Sequence, residues 1–112
     1  MVLPHRMRLR PPWERTRQRD QILWRRRFGK PSNLDLSERV FLAIESPAVE
    51  AQVSLNGQPL GCTGPTELIW RVPVTHLLQR RNELVLHVAS TQFAASEEST
   101  AVPFREVRLE IE

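Results

Sequence analysis

Two sets of side chains in this chain have types and spacings suited to holding a ligand. Trp24 and Trp70 offer flat apolar faces on which the C–H groups of a pyranose can stack, and Arg71 and Gln92 offer planar polar groups for sugar hydroxyls. The second set is the arginines of residues 6–30, interleaved with Trp13 and Trp24, where guanidiniums would contact phosphates while indoles stack on bases. Each set also has a plainer explanation. Trp70 shares strand parity with Leu68 and Val72, which fits a core position. Arg25, Arg26 and Arg27 would pair with Glu45, Glu50, Glu110 or Glu112.

Catalytic and metal chemistry find little support. Glycoside hydrolysis needs two carboxyl groups flanking one bond, and the acids here (Asp35, Glu38, Glu97, Glu98) are scattered over loops. Cys62 has no histidine near it in sequence to activate it and reads as a buried or incidental thiol. His5, His76 and His87 lack partners at metal-ligand spacing, and the glycines form neither a dinucleotide nor a phosphate-loop motif. The chain is expected to be non-catalytic, with no cofactor and no metal.

Charge is unevenly spread along the 112 residues. Residues 1–30 hold ten basic side chains against two acidic ones, and residues 31–112 hold six against eleven. A basic head on an acidic body suits an anionic partner or a clamp of head onto body. The single cysteine excludes an intrachain disulfide framework. No run approaches the ~18 apolar residues of a membrane span, and the basic N-terminus never enters an apolar stretch of signal-peptide type. The expectation is one soluble, cytoplasmic domain.

The elements that would position these groups are strands. Period-two alternation runs through residues 21–28, 40–45, 49–55, 67–72, 83–89 and 106–111, and Arg6 to Arg10 alternates as a short edge strand. Asn56-Gly57 is a hairpin signal for a type I′ turn, with 58–61 as the return strand. Residues 75–79 suit one helical turn capped by Thr75, and Ser90 to Phe104 forms a long loop that is functional or mobile. Strands of this kind separated by turn signals predict an all-β antiparallel sandwich over residues 20–112, preceded by a basic, weakly structured extension over 1–19.

Several strings occur in a recognisable order: Val53-Ser54-Leu55-Asn56-Gly57, Leu60-Gly61, Val72-Pro73-Val74-Thr75-His76-Leu77-Leu78, and Arg81-Asn82-Glu83-Leu84-Val85-Leu86-His87-Val88. Together they resemble the sugar-binding jelly-roll domain of glycosyl hydrolase family 2, within the galactose-binding-like superfamily. Arg25-Arg26-Arg27-Phe28 is similar to the arginine-rich, aromatic start of that domain, although Pro73 stands where the family usually has Asp. The resemblance covers residues 20–112, and the chain is expected to lack the catalytic barrel of that family. It implies a jelly-roll fold without glycosidase activity, acting as a binding or interaction module whose partner is a glycan or another protein. Contacts would come from loops 62–66 and 90–104. The alternative is nucleic-acid or anionic-surface binding through the arginine-rich N-terminal segment.

Overall fold

The structure, a computed structural model, describes residues 5–31, 34, 37–45, 47, 49–64, 66–89 and 104–112. These residues form nine strands: β1 (His5–Arg8), β2 (Glu14–Gln18), β3 (Gln21–Gly29), β4 (Val40–Glu45), β5 (Ala51–Leu55), β6 (Gln58–Cys62), β7 (Ile69–Pro73), β8 (Arg81–Ala89) and β9 (Glu106–Ile111). They build two antiparallel sheets, one of four strands in the order β1-β9-β4-β7 and one of five in the order β2-β3-β8-β5-β6. No helix occurs among the described residues, so none there is long and apolar enough to cross a membrane.

Alternation decides which side chains enter the space between the sheets. The five-stranded sheet contributes Ile22, Trp24 and Phe28 from β3, Leu84, Leu86 and Val88 from β8, and Val53 and Leu55 from β5. The four-stranded sheet answers with Val40, Leu42 and Ile44 from β4, Trp70 from β7, and Val107, Leu109 and Ile111 from β9. Register holds these rows in place: Trp24 lies opposite Leu86, which lies opposite Val53, and Leu42 opposite Leu109. A one-residue slip of any inner strand would expose its apolar set. The Asn56-Gly57 turn has positive φ at both positions, 52° and 82°, as a type I′ hairpin requires.

The described residues of the basic head carry two strands. β1 pairs with β9 and β2 pairs with β3, each at a sheet edge, and Leu9 is buried in the core. The alternation of Met7 and Leu9 with arginines drives this docking, since one side of β1 packs inward while the arginines stay wet.

Three local expectations change. Leu68 does not share the inner face of Trp70; it precedes β7 and is 83% exposed. Residues 75–77 form a turn, with Leu77 N–H donating to the Val74 carbonyl, and no helix follows. The Thr75 hydroxyl accepts from Val40 N–H at 2.9 Å, tying the turn to β4 instead of capping it. The stretch 90–103 lies outside the described residues; Phe104, which ends it, meets Trp13 edge to face at 5.2 Å.

Candidate functional site

The outer face of the five-stranded sheet is polar where β3 begins and β8 ends. Register places Leu23 beside His87, His87 beside Gln52, Gln52 beside Cys62, and Gln21 beside Ala89. Ile22, Val88, Ala51 and Val53 point into the core, so Gln21, His87 and Gln52 must point out. The short Ala89 side chain leaves room between them. The result is a depression of about 230 Å³ lined by Gln21, Glu50, Gln52, Cys62, His87 and Ala89. The side chains of Gln21, Gln52 and His87 make no hydrogen bond with any described residue. Two amides and an imidazole thus present donors and acceptors together, the equipment for reading vicinal hydroxyls.

The edge of this depression is fixed by Thr63, a buried residue just after β6. Its hydroxyl accepts from Ala51 N–H at 3.0 Å and donates to the Val49 carbonyl at 2.9 Å, fastening the chain at the end of β6 to the start of β5. Cys62, expected to be buried or incidental, is exposed on the rim because it ends the outermost strand β6.

Among the described residues, Trp24, Trp70 and Arg71 do not share one exposed surface. Trp24 and Trp70 are 2% and 8% exposed, so neither indole face is open to a sugar; both fill the space between the sheets instead. Arg71 lies on the outer face of the other sheet. Its guanidinium stacks on Phe41 at 3.6 Å, and two of its nitrogens bond Glu110 at 2.8 Å and Glu112 at 2.6 Å within the protein. Gln92 lies outside the described residues.

That outer face also holds a feature that alternation concealed. Arg108, whose parity in β9 is opposite to that of the inward Val107, Leu109 and Ile111, is 3% exposed because Glu45, Glu106 and Glu110 close over it. Burial opposes its charge, but bonds to Glu110 and Glu45 prevail and hold the guanidinium above its ordinary value. Burial likewise opposes ionisation of Glu110, yet Arg71 and Arg108 hold its carboxyl below the usual range. Arg25 and Arg27 find different partners from those expected: Arg25 meets Glu14 and Glu83, and Arg27 meets Glu83. The acids of β4 and β9 are taken by Arg71, Arg105 and Arg108, on the other sheet.

At the opposite end of the sandwich from the depression, Asn56 and Asn82 form one amide network. Asn82 is buried, accepts from Gln79 N–H at 2.8 Å and donates to the Gln79 carbonyl at 2.9 Å. Asn56 accepts from Glu83 N–H at 2.8 Å and donates to the Leu77 carbonyl at 3.0 Å.

Nine strands in this order, closed by an Asn-Gly hairpin and an asparagine-locked turn, define a galactose-binding-like β-sandwich. The chain belongs to the family described as glycosyl hydrolase 2 galactose-binding domain-like, which it matches over residues 13–110. Among solved structures it is similar to an FMN-binding β-glucuronidase from Facaelibacterium prausnitzii L2-6, with a TM-score of 0.62 and 23% identity, over 81% of this chain and 15% of that one. A β-D-glucuronidase from Dictyoglomus thermophilum superposes with a TM-score of 0.74 at 13% identity, over 96% of this chain and 28% of that one. A β-D-mannosidase from the same organism gives 0.63 at 17% identity, over 80% and 15%. At these identities the likeness is one of fold, and the chain spans less than a third of each enzyme's length. No curated protein matches the chain.

Proposed function

We propose that this chain is a non-catalytic carbohydrate-binding module that holds a sugar in the depression formed by Gln21, Gln52 and His87. The observation that carries the reading is that these three polar side chains converge on one concavity and have no partner among the described residues. Polar groups so placed recognise hydroxyls by direct hydrogen bonds, and each unmet group penalises a ligand that lacks the hydroxyl. Membership of the galactose-binding-like family supports the ligand class. The depression contains one carboxylate, Glu50, whereas acid–base hydrolysis requires two, which supports binding without turnover. Its position beside the loop after β6 agrees with contacts supplied from residues 62–66.

Isothermal titration with galactose, mannose and glucose tests the reading. Binding of at least one sugar, weakened tenfold or more by Gln52→Ala and by His87→Ala, is expected. Equal affinity in the parent chain and both variants would remove the depression as the site.

A further inference from the structure

Acidic and basic groups are unevenly matched over the two sheets. Glu45, Glu106, Glu110 and Glu112 lie on the four-stranded sheet or at its end and engage Arg8, Arg71, Arg105 and Arg108 there. Where β3 finishes and β8 starts, the balance reverses. Arg27, Arg80 and Arg81 line a cleft of about 630 Å³ whose one lining carboxylate is Glu83. Glu83 is already shared, at 3.4 Å from Arg25 and 3.3 Å from Arg27. The side chains of Arg80 and Arg81 are exposed and have no hydrogen bond or ion pair with any described residue.

The floor of this cleft is open and its backbone is held firmly. Gly29 pairs with Arg81 in the β3–β8 register, and a Cβ placed on Gly29 would meet nothing within 4 Å. Lys30 N–H donates to the Arg80 carbonyl at 3.1 Å, while Asn82 anchors the following position through Gln79. Two guanidiniums with no partner among the described residues therefore project from a fixed turn beside a glycine that leaves open space.

We infer that this cleft binds the oxyanion of an acidic saccharide, the carboxylate or sulfate group of a charged glycan. Guanidinium forks match such groups bidentately, and a concave wall concentrates their field on an entering anion. A nucleic acid fits less well. Phe28, the one ring at the cleft, is buried, and the cations are gathered in one hollow instead of being strung along a strand-length groove. The site is separate from the hydroxyl-reading depression, since Glu83 and His87 are four residues apart on β8, roughly 13 Å.

Titration of the full chain with a tetragalacturonate, a sulfated galactan tetrasaccharide that carries no carboxylate, neutral galactose and an oligothymidylate tests the inference. One or both acidic oligosaccharides should bind, less tightly as salt rises, and the arm that responds separates carboxylate from sulfate. The double variant R80A/R81A should weaken that binding tenfold or more, and Gly29→Val, which fills the floor without changing charge, should weaken it also. Gln52→Ala should leave it intact, so failure of the neutral-sugar site cannot be mistaken for failure of this one. Unchanged affinity in R80A/R81A, no binding of either acidic oligosaccharide, or tighter binding of the oligothymidylate than of both would overturn it.

Discussion

Asn56 and Asn82, 26 positions apart, meet side chain to side chain, with Nδ2 of Asn56 donating to Oδ1 of Asn82 at 3.0 Å. Through this bond the β5–β6 hairpin, the turn after β7 and the first residues of β8 become one unit. The Asn82 amide reaches β3 as well, donating to the Phe28 carbonyl at 3.4 Å. Buried amides with every group bonded specify one arrangement, because any other leaves donors or acceptors unmet.

Replacing Asn82 by Asp tests that unit. The introduced carboxylate can accept from Asn56 and Gln79 but confronts the carbonyl oxygens of Gln79 and Phe28, which need donors. Urea unfolding should show a loss of about 2–4 kcal/mol at neutral pH. Burial beside two carbonyl oxygens should raise its folded pKa above the unfolded one, so stability should recover as pH falls and the proton returns one donor. A parent-like midpoint at neutral pH would refute the network's role.

Acid should unfold the chain partly through Glu110. Arg71 and Arg108 hold its folded pKa below the unfolded value, so its contribution is complete above the ordinary carboxylate range and disappears as pH falls through the folded value. Melting temperatures followed from neutral pH into strong acid should fall more steeply in the parent chain than in Glu110→Gln. Parallel profiles would exclude this linkage.

Removing the cation should be worse than removing one anion. Arg108→Met leaves Glu45, Glu106 and Glu110 crowded without their shared partner, and a loss of about 3–5 kcal/mol is expected by chemical denaturation. A loss within experimental error would show that the cluster is only surface charge.

Thr63→Val keeps the side chain's shape and deletes its hydroxyl. Ala51 N–H and the Val49 carbonyl then lose their partner in a buried setting, at a cost of about 1–3 kcal/mol. Hydrogen exchange at Ala51 should accelerate in the variant; unchanged protection would argue that the loop is held by other means.

The two tryptophans separate core from site. Trp24→Phe should lower stability while leaving the sugar affinity of the folded protein unaltered, because the ring lies between the sheets. Loss of sugar affinity at full stability would place Trp24 in a binding surface.

Period-two alternation was enough to read the sandwich. Val40, Leu42 and Ile44, Leu84, Leu86 and Val88, and Val107, Leu109 and Ile111 all take the inner side that their parity indicates, and Asn56-Gly57 turns as its residue types require. The candidate site was far less legible. Gln21, Gln52 and His87 come from three strands, and only the pairing of β3 with β8 and of β8 with β5 makes them neighbours. An indole suits both a sugar and a core, so residue type leaves Trp24 and Trp70 ambiguous, and sequence parity favours the core without deciding it. Arg108 shows the complementary failure: its outward parity is correct, but three glutamates from its own and a neighbouring strand bury it.

The claim that this fold presents a sugar site on its five-stranded sheet is tested most directly by following backbone and side-chain amide resonances during titration with galactose and mannose. Saturable shifts centred on Gln21, Gln52 and His87, abolished by Gln52→Ala, are predicted. Saturable shifts centred elsewhere, or none with either sugar at millimolar concentration, would contradict it.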